Sequence, residues 1–128
     1  MDTKKGFTLL QITIAVLIVV ILTAIAAPQF LNTIERSRAT EGTTILWNVL
    51  ASMNRYDIEH GFYPNNQASL DITIPALNHF NTPLIVVGTC GSGGTCAAIA
   101  RKNGLYGLRI LRNGNIVCQG GGCAAAGF

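Results

Sequence analysis

Four cysteines, two histidines and a few serines are the side chains of this 128-residue sequence suited to nucleophilic, redox or metal chemistry. The cysteines all fall late: Cys90 and Cys96 are separated by five residues, Cys118 and Cys123 by four. Paired thiolates can hold zinc, but zinc ribbons space their ligands by about two to four residues, so this pattern fits a metal poorly. The alternative is oxidation, for which four cysteines allow three pairings that sequence alone does not separate. The glycine-rich loops inside each pair could turn tightly, which favours Cys90 with Cys96 and Cys118 with Cys123. His60 and His79 stand isolated, and Ser37, Ser52, Ser69 and Ser92 lack a surrounding nucleophile motif. Gly91-Ser92-Gly93-Gly94 lacks the lysine and following helix of a phosphate loop. No constellation here calls for a catalytic site or a cofactor.

The elements that carry these residues begin with a different kind of chemistry. From residue 6 to residue 34 no side chain is charged, while Lys4 and Lys5 precede the stretch and Glu35, Arg36 and Arg38 follow it. As a helix rising about 1.5 Å per residue, that length exceeds the roughly 30 Å hydrocarbon core of a bilayer. Thirteen Leu, Ile, Val or Phe residues lie between Phe7 and Ala27. They favour insertion by roughly 4 to 8 kcal/mol, enough to carry Gln11 and three threonines. The two early lysines orient the N-terminus toward the cytoplasm by the positive-inside rule, which leaves the remainder outside, where disulfides persist. Two plainer readings stand beside this one. Ala24-Ile25-Ala26 could serve an ordinary signal peptidase, although the apolar region is long for such a peptide and the helical pattern runs on past the cut. A retained anchor that assembles into nothing is the other.

Lys5-Gly6-Phe7-Thr8-Leu9-Leu10 followed by the apolar run resembles the class III leader and N-terminal segment of type IV pilins and pseudopilins. The resemblance implies cleavage after Gly6 by a prepilin peptidase, with Lys4 and Lys5 in the leader, and N-methylation of the new terminus at Phe7. It also implies a membrane helix that is retained and later forms the core of a filament, supplied by an inner-membrane assembly platform and motor and packed against homologous subunits. One residue departs from the family pattern. The fifth position after the cut usually carries Glu, whose carboxylate is thought to neutralise a neighbouring subunit's N-terminal ammonium, and here it is Gln11. An amide oxygen can accept a hydrogen bond without supplying the opposite charge, and a buried charge without its partner costs roughly 3 to 5 kcal/mol. Gln11 therefore marks either a tip or initiating subunit with no earlier neighbour, or a filament that tolerates the amide. Some family members bind calcium through an acidic C-terminal loop, but no Asp or Glu follows Asp71, so no such site is expected.

Beyond the leader at residues 1–6 and the membrane half at 7–28, residues 29–128 suffice for one small domain. Phe30, Leu31, Ile34, Ile45, Leu46, Val49, Met53 and Tyr56 recur mostly at steps of three and four through a polar background. That spacing predicts an amphipathic continuation to about residue 60, so that one helix runs from Phe7 to about Glu59, roughly 80 Å. Pro28 is expected to kink or loosen it, Gly42 is a second weak point, and Gly61 and Pro64 end it. His60-Gly61-Phe62-Tyr63-Pro64 resembles the segment that follows the long helix in small pilins. A loop at 65–82, with a short turn near 70–74, leads to a strand at 84–88. Another strand at 105–111 turns at Asn113-Gly114, a type I′ hairpin signal, into 115–118. The fold class is thus α+β: a long N-terminal helix, half membrane and half amphipathic, packed on a small antiparallel β-sheet. Trp47, Met53 and Tyr56 fall on the core or rim of that helix.

Composition adds little that discriminates. The formal charge of +3 falls to +2 once Asp2, Lys4 and Lys5 leave, and 49% hydrophobic content reflects the apolar run. Arg101, Lys102, Arg109 and Arg112 outnumber Asp71 from residue 61 onward and could attract nucleic acid, but Tyr106 alone interleaves them, so a solvated sheet face is the favoured reading. The functions that follow are a type IV pilus subunit, a type II secretion pseudopilin, a tip or initiating minor pilin, or a membrane-tethered binding protein.

Overall fold

The computed structural model describes residues 6–86 and 89–128; Lys4, Lys5, Val87 and Gly88 lie outside the described residues. Helix α1 spans Leu9–His60 and continues through Pro28. Thr8 caps its start, the hydroxyl and carbonyl both accepting from the Gln11 amide, at 3.3 and 3.0 Å. Gly61 ends it in the left-handed region (φ 80°), donating to Asp57 O at 2.7 Å, a closure that glycine makes without a Cβ penalty.

The chain then passes a short 3-10 turn, Gln67–Ser69, and enters a four-stranded antiparallel sheet in the order β1 (Leu84–Ile85), β2 (Thr95–Ala100), β3 (Gly107–Leu111), β4 (Ile116–Gln119). A last turn of helix, α2 (Cys123–Ala126), packs beside α1. The expected strand at 84–88 is therefore two residues within what is described. The 70–74 turn is replaced by the earlier 3-10 turn, capped by the Asn66 side chain. Strand β2 escaped the sequence reading because three alanines and a cysteine carry weak β preference. A bulge between Thr95 and Ala97 also breaks its alternation, so Cys96 and Ala97 are buried in succession.

The hairpin between β3 and β4 also differs from expectation. A type I′ turn needs positive φ at both Asn113 and Gly114, yet only Gly114 has it, at 86°. The Gly114 amide bonds Leu111 O and the Leu111 amide bonds Asn115 O, both at 2.9 Å, which is a type I turn followed by a left-handed glycine. The Trp47 indole lies where a Cβ on Gly114 would sit, 2.6 Å from its Cη2, so α1 packs over this loop and selects its shape.

The core is one face of α1 pressed on the inner face of the sheet. Leu46, Val49 and Met53 meet Leu108, Ile110, Ala97 and Phe80, each at most 1% exposed. Phe30 and Leu31 do not belong to it: they are 65% and 67% exposed, because the sheet begins to cover α1 only beyond residue 33. Gly42 is likewise not a weak point but the closest approach of helix to core. A Cβ there would stand 2.9 Å from Phe80 Cζ and 3.1 Å from Leu108 Cδ1. Replacing glycine by alanine in a helix ordinarily stabilises it by up to about 1 kcal/mol, whereas forcing a methyl into a filled core costs about 1 to 3 kcal/mol. Gly42→Ala should therefore lower the urea midpoint of the detergent-solubilised protein, and a raised midpoint would show that Phe80 yields freely.

Candidate assembly segment

The segment most able to act on something outside the domain is the first half of α1. Every residue from 6 to 33 is exposed, and no charged side chain interrupts this apolar stretch. From Leu9 to Thr33 the free stretch extends about 37 Å, longer than a bilayer's hydrocarbon core. Its threonine hydroxyls are satisfied within the helix: Thr13 Oγ1 donates to Leu10 O at 2.8 Å and Thr23 Oγ1 to Val19 O at 2.7 Å. Such a rod can lie in lipid or against other rods, and water is its least favourable surrounding.

At the tip, Gly6 has open space around it and Phe7 is 81% exposed, so both positions named as a processing site are accessible. Gln11 occupies the third helical position after the Thr8 cap, the Thr-x-x-Gln spacing of a capping box. Only the forward half of the box forms, and the Gln11 carboxamide makes no hydrogen bond among the described residues. That spacing is legible in the sequence alone. Pro28 sits toward the root end of the exposed rod, where its ring deprives the Ala24 carbonyl of a helical partner.

At the root, where α1 enters the domain, Glu35 is the first charged residue. Its Oε1 accepts from Arg101 Nε at 2.8 Å and Tyr106 Oη at 3.0 Å, and its Oε2 accepts from Arg101 Nη2 at 3.2 Å. Arg101 is 5% exposed, donates also to His79 O at 2.8 Å and lies over the Phe80 ring. Further up α1, Glu41 accepts from the amides of Asn78 (2.7 Å) and His79 (3.1 Å). Asp71 is gripped by Arg55 at 2.6 and 2.7 Å and by the Ser52 hydroxyl. Two of these polar ties, at Glu41 and at Asp71, hold the long 62–83 connection against the helix, and the third, at Glu35, holds the turn between β2 and β3. None had a local signature, since the partners stand 16 to 71 residues apart.

The basic residues do not form one face. Arg101 is consumed by Glu35, Lys102 Nζ donates to Leu77 O at 2.5 Å, and Arg112 donates to Gly91 O at 2.9 Å while stacking on Tyr63. Arg109 remains on the outer side of the sheet, so the stripe that would have drawn nucleic acid is dispersed. Cys90 is bonded to Cys96 at the entry to β2, and Cys118 to Cys123 between β4 and α2. With all four sulfurs oxidised, the zinc alternative falls. His60 stacks on Tyr56 with ring centres 4.1 Å apart, away from any nucleophile or metal-ligand cluster among the described residues.

Hydrogen bonding to Arg101 holds the Glu35 carboxyl below its ordinary value, while burial, aided by Glu35, pushes the Tyr106 phenol up to about 12. The two signs give two limits. The Glu35 contribution is complete above its ordinary value of 4.5 and is lost as the pH falls below it, because the unfolded chain takes the proton first. Between 10.0 and about 12 the unfolded phenol has ionised while the folded one has not, so stability falls as pH rises. Tyr106→Phe should flatten this alkaline decline in urea midpoints. Arg101→Ala, which strands a nearly buried carboxylate, should cost about 3 kcal/mol at neutral pH in the same measurement.

Comparison with known proteins turns up pilus components. The chain is 28% identical over 104 residues to the fimbrial protein EcpC of Eikenella corrodens, covering 81% of this chain and 67% of that protein. It is 31% identical over 72 residues to the type IV major pilin protein PilE1 of Neisseria gonorrhoeae, covering 56% of this chain and 44% of that one. It is 34% identical over 70 residues to the type IV wide pilus major component PilA4 of Thermus thermophilus, covering 55% and 53%. The matched stretch thus spans about half the length of the latter two relatives. No protein-family model matches the chain, and no solved structure does.

Proposed function

We propose, from the similarity to type IV pilins and a fimbrial protein, that this chain is a pilin-like structural subunit of a type IV pilus-like filament with no enzymatic role. The observation that carries this reading is the bare apolar rod: about half of α1 is greasy and uncovered, while the domain beyond residue 33 is packed without it. A rod of this kind holds the subunit in the inner membrane as a single span, with the domain outside the cytoplasm. In a filament the same surface is covered by the rods of sister subunits.

In this reading residues 1–6 are a leader, 7–28 the membrane and filament-core half, and 29–128 the globular domain. A prepilin peptidase cuts after Gly6, Lys4 and Lys5 leave with the leader, and Phe7 becomes the methylated terminus. Leaving lipid opposes the roughly 4 to 8 kcal/mol that favoured insertion, so assembly needs a platform and motor that do work on the rod. Mass analysis of the mature N-terminus tests this directly. The expected product begins at N-methylated Phe7, and one beginning near Ala27 would remove the rod and the proposal together. Loss of protein secretion on deletion, with no surface filament, would instead identify a secretion pseudopilin.

Gln11 leaves a narrower role as the alternative to a repeating subunit. The methylated ammonium at Phe7 would sit at the positive end of α1, and Gln11 brings no charge to offset a neighbour's terminus. A tip or initiating subunit, which engages no earlier neighbour, tolerates that absence best. Gln11→Glu should then raise the share of the protein recovered in sheared filaments several-fold, and an unchanged share would count against the electrostatic explanation.

A further inference from the structure

The outer face of the sheet carries a groove that the proposed role leaves unused. Strand register sets Leu84, Ala98 and Arg109 in one row and Ala100, Gly107 and Gln119 in the next. Ala98, Ala100 and Gly107 form a floor of methyl groups and backbone. Leu84, Arg109 and Gln119 wall a hollow of about 280 Å³. Arg109 makes no salt bridge among the described residues.

The far end of α1 carries the complement. Beyond the rod, Ile58 at 84% and Leu84 at 73% are the two most exposed large apolar side chains, and Leu84 belongs to the groove. Next to Ile58 stands Glu59, exposed and likewise without a salt bridge among the described residues. An apolar side chain with a carboxylate next to it in sequence complements an apolar hollow beside a guanidinium in polarity and in charge.

Polarity allows the two to meet. Arg101 and Tyr106, adjacent in sequence to Ala100 and Gly107, are bound to Glu35, so the groove lies where α1 enters the domain. Ile58 stands 23 residues further along the helix, about 35 Å away. Copies anchored in one membrane point the same way, so an axial shift brings the far end of one to the entry end of the next.

We propose that the sheet groove of one copy receives Ile58 of a second copy, with Arg109 facing that copy's Glu59. The contact joins two different patches and does not close on itself, so it propagates along an axis. It rests on the filament reading and adds to it a specific contact between domains.

All native cysteines are bridged, so introduced thiols can report the contact. The full chain carrying both Ile58→Cys and Ala100→Cys, expressed in its own host and sheared from cells, should give on oxidation a ladder of trimers and longer species that collapses when a thiol reductant is added. Either single variant should stay monomeric. Arg109→Glu should lower filament yield about tenfold, and Glu59→Arg in the same chain should restore it. Normal filaments without a ladder overturn the contact and leave the filament reading intact. Dimers from Ile58→Cys alone also overturn it, since they require a symmetric contact. Absence of any filament from the unaltered chain overturns the filament reading and the contact with it.

Discussion

A single unbroken helix has to satisfy two surroundings, and the rest of the molecule follows from where the change falls. Up to residue 33, α1 offers apolar surface in every direction and has nothing of its own chain to cover it. From Ala39 to Met53 the same helix is apolar on one side only, and that side is closed by the sheet. The change is made within a few residues by Glu35, the first charge after the rod. Its partners are a guanidinium on the loop after β2 and the phenol of Tyr106, so the sheet is locked to the helix where lipid or neighbouring rods would have to give way to solvent.

The same division explains why so small a domain keeps so long a connection. The segment between α1 and β1 has only a 3-10 turn of regular structure. Glu41 and Arg55, aided by Ser52, hold it to the helix through amides and a carboxylate, while Leu77, Phe80 and the partly buried Ile72 and Ile74 fill the space beneath. Loops are usually held by their apolar contacts. Here charged groups on the helix do much of the positioning, and the two disulfides fix the later turns.

Much of this was legible and some was not, for reasons that differ by residue. The long helix, its C-terminal stop at Gly61 and an antiparallel sheet beneath it depend on local pattern, and local pattern was enough. Phe30 and Leu31 kept the helical period but not the burial, since periodicity records which side a residue faces and not whether anything stands opposite. Gly42 read as a weakness because its use, letting Phe80 approach the helix, involves a residue 38 positions away. Asn113-Gly114 carried the right hairpin signal and the wrong turn type, with Trp47 packed against the loop. The tie between Glu35 and Arg101 spans 66 residues and has no sequence signature at all.

The tip of the rod brings local capping and assembly into contact. Thr8 caps the helix from within the chain, so the helix start needs no neighbour to form. The remaining first-turn amides and the helix dipole still make that end electropositive, and a terminal ammonium at Phe7 would add to it. In a chain with Glu at position 11 the offset could be supplied by any sister subunit. With Gln11, the Thr8 hydroxyl accepts from the Gln11 backbone amide, the Gln11 carboxamide carries no charge, and the positive end is not neutralised. In the proposed filament, a rod with apolar burial would therefore keep one electrostatic term at its tip that its own sequence does not neutralise.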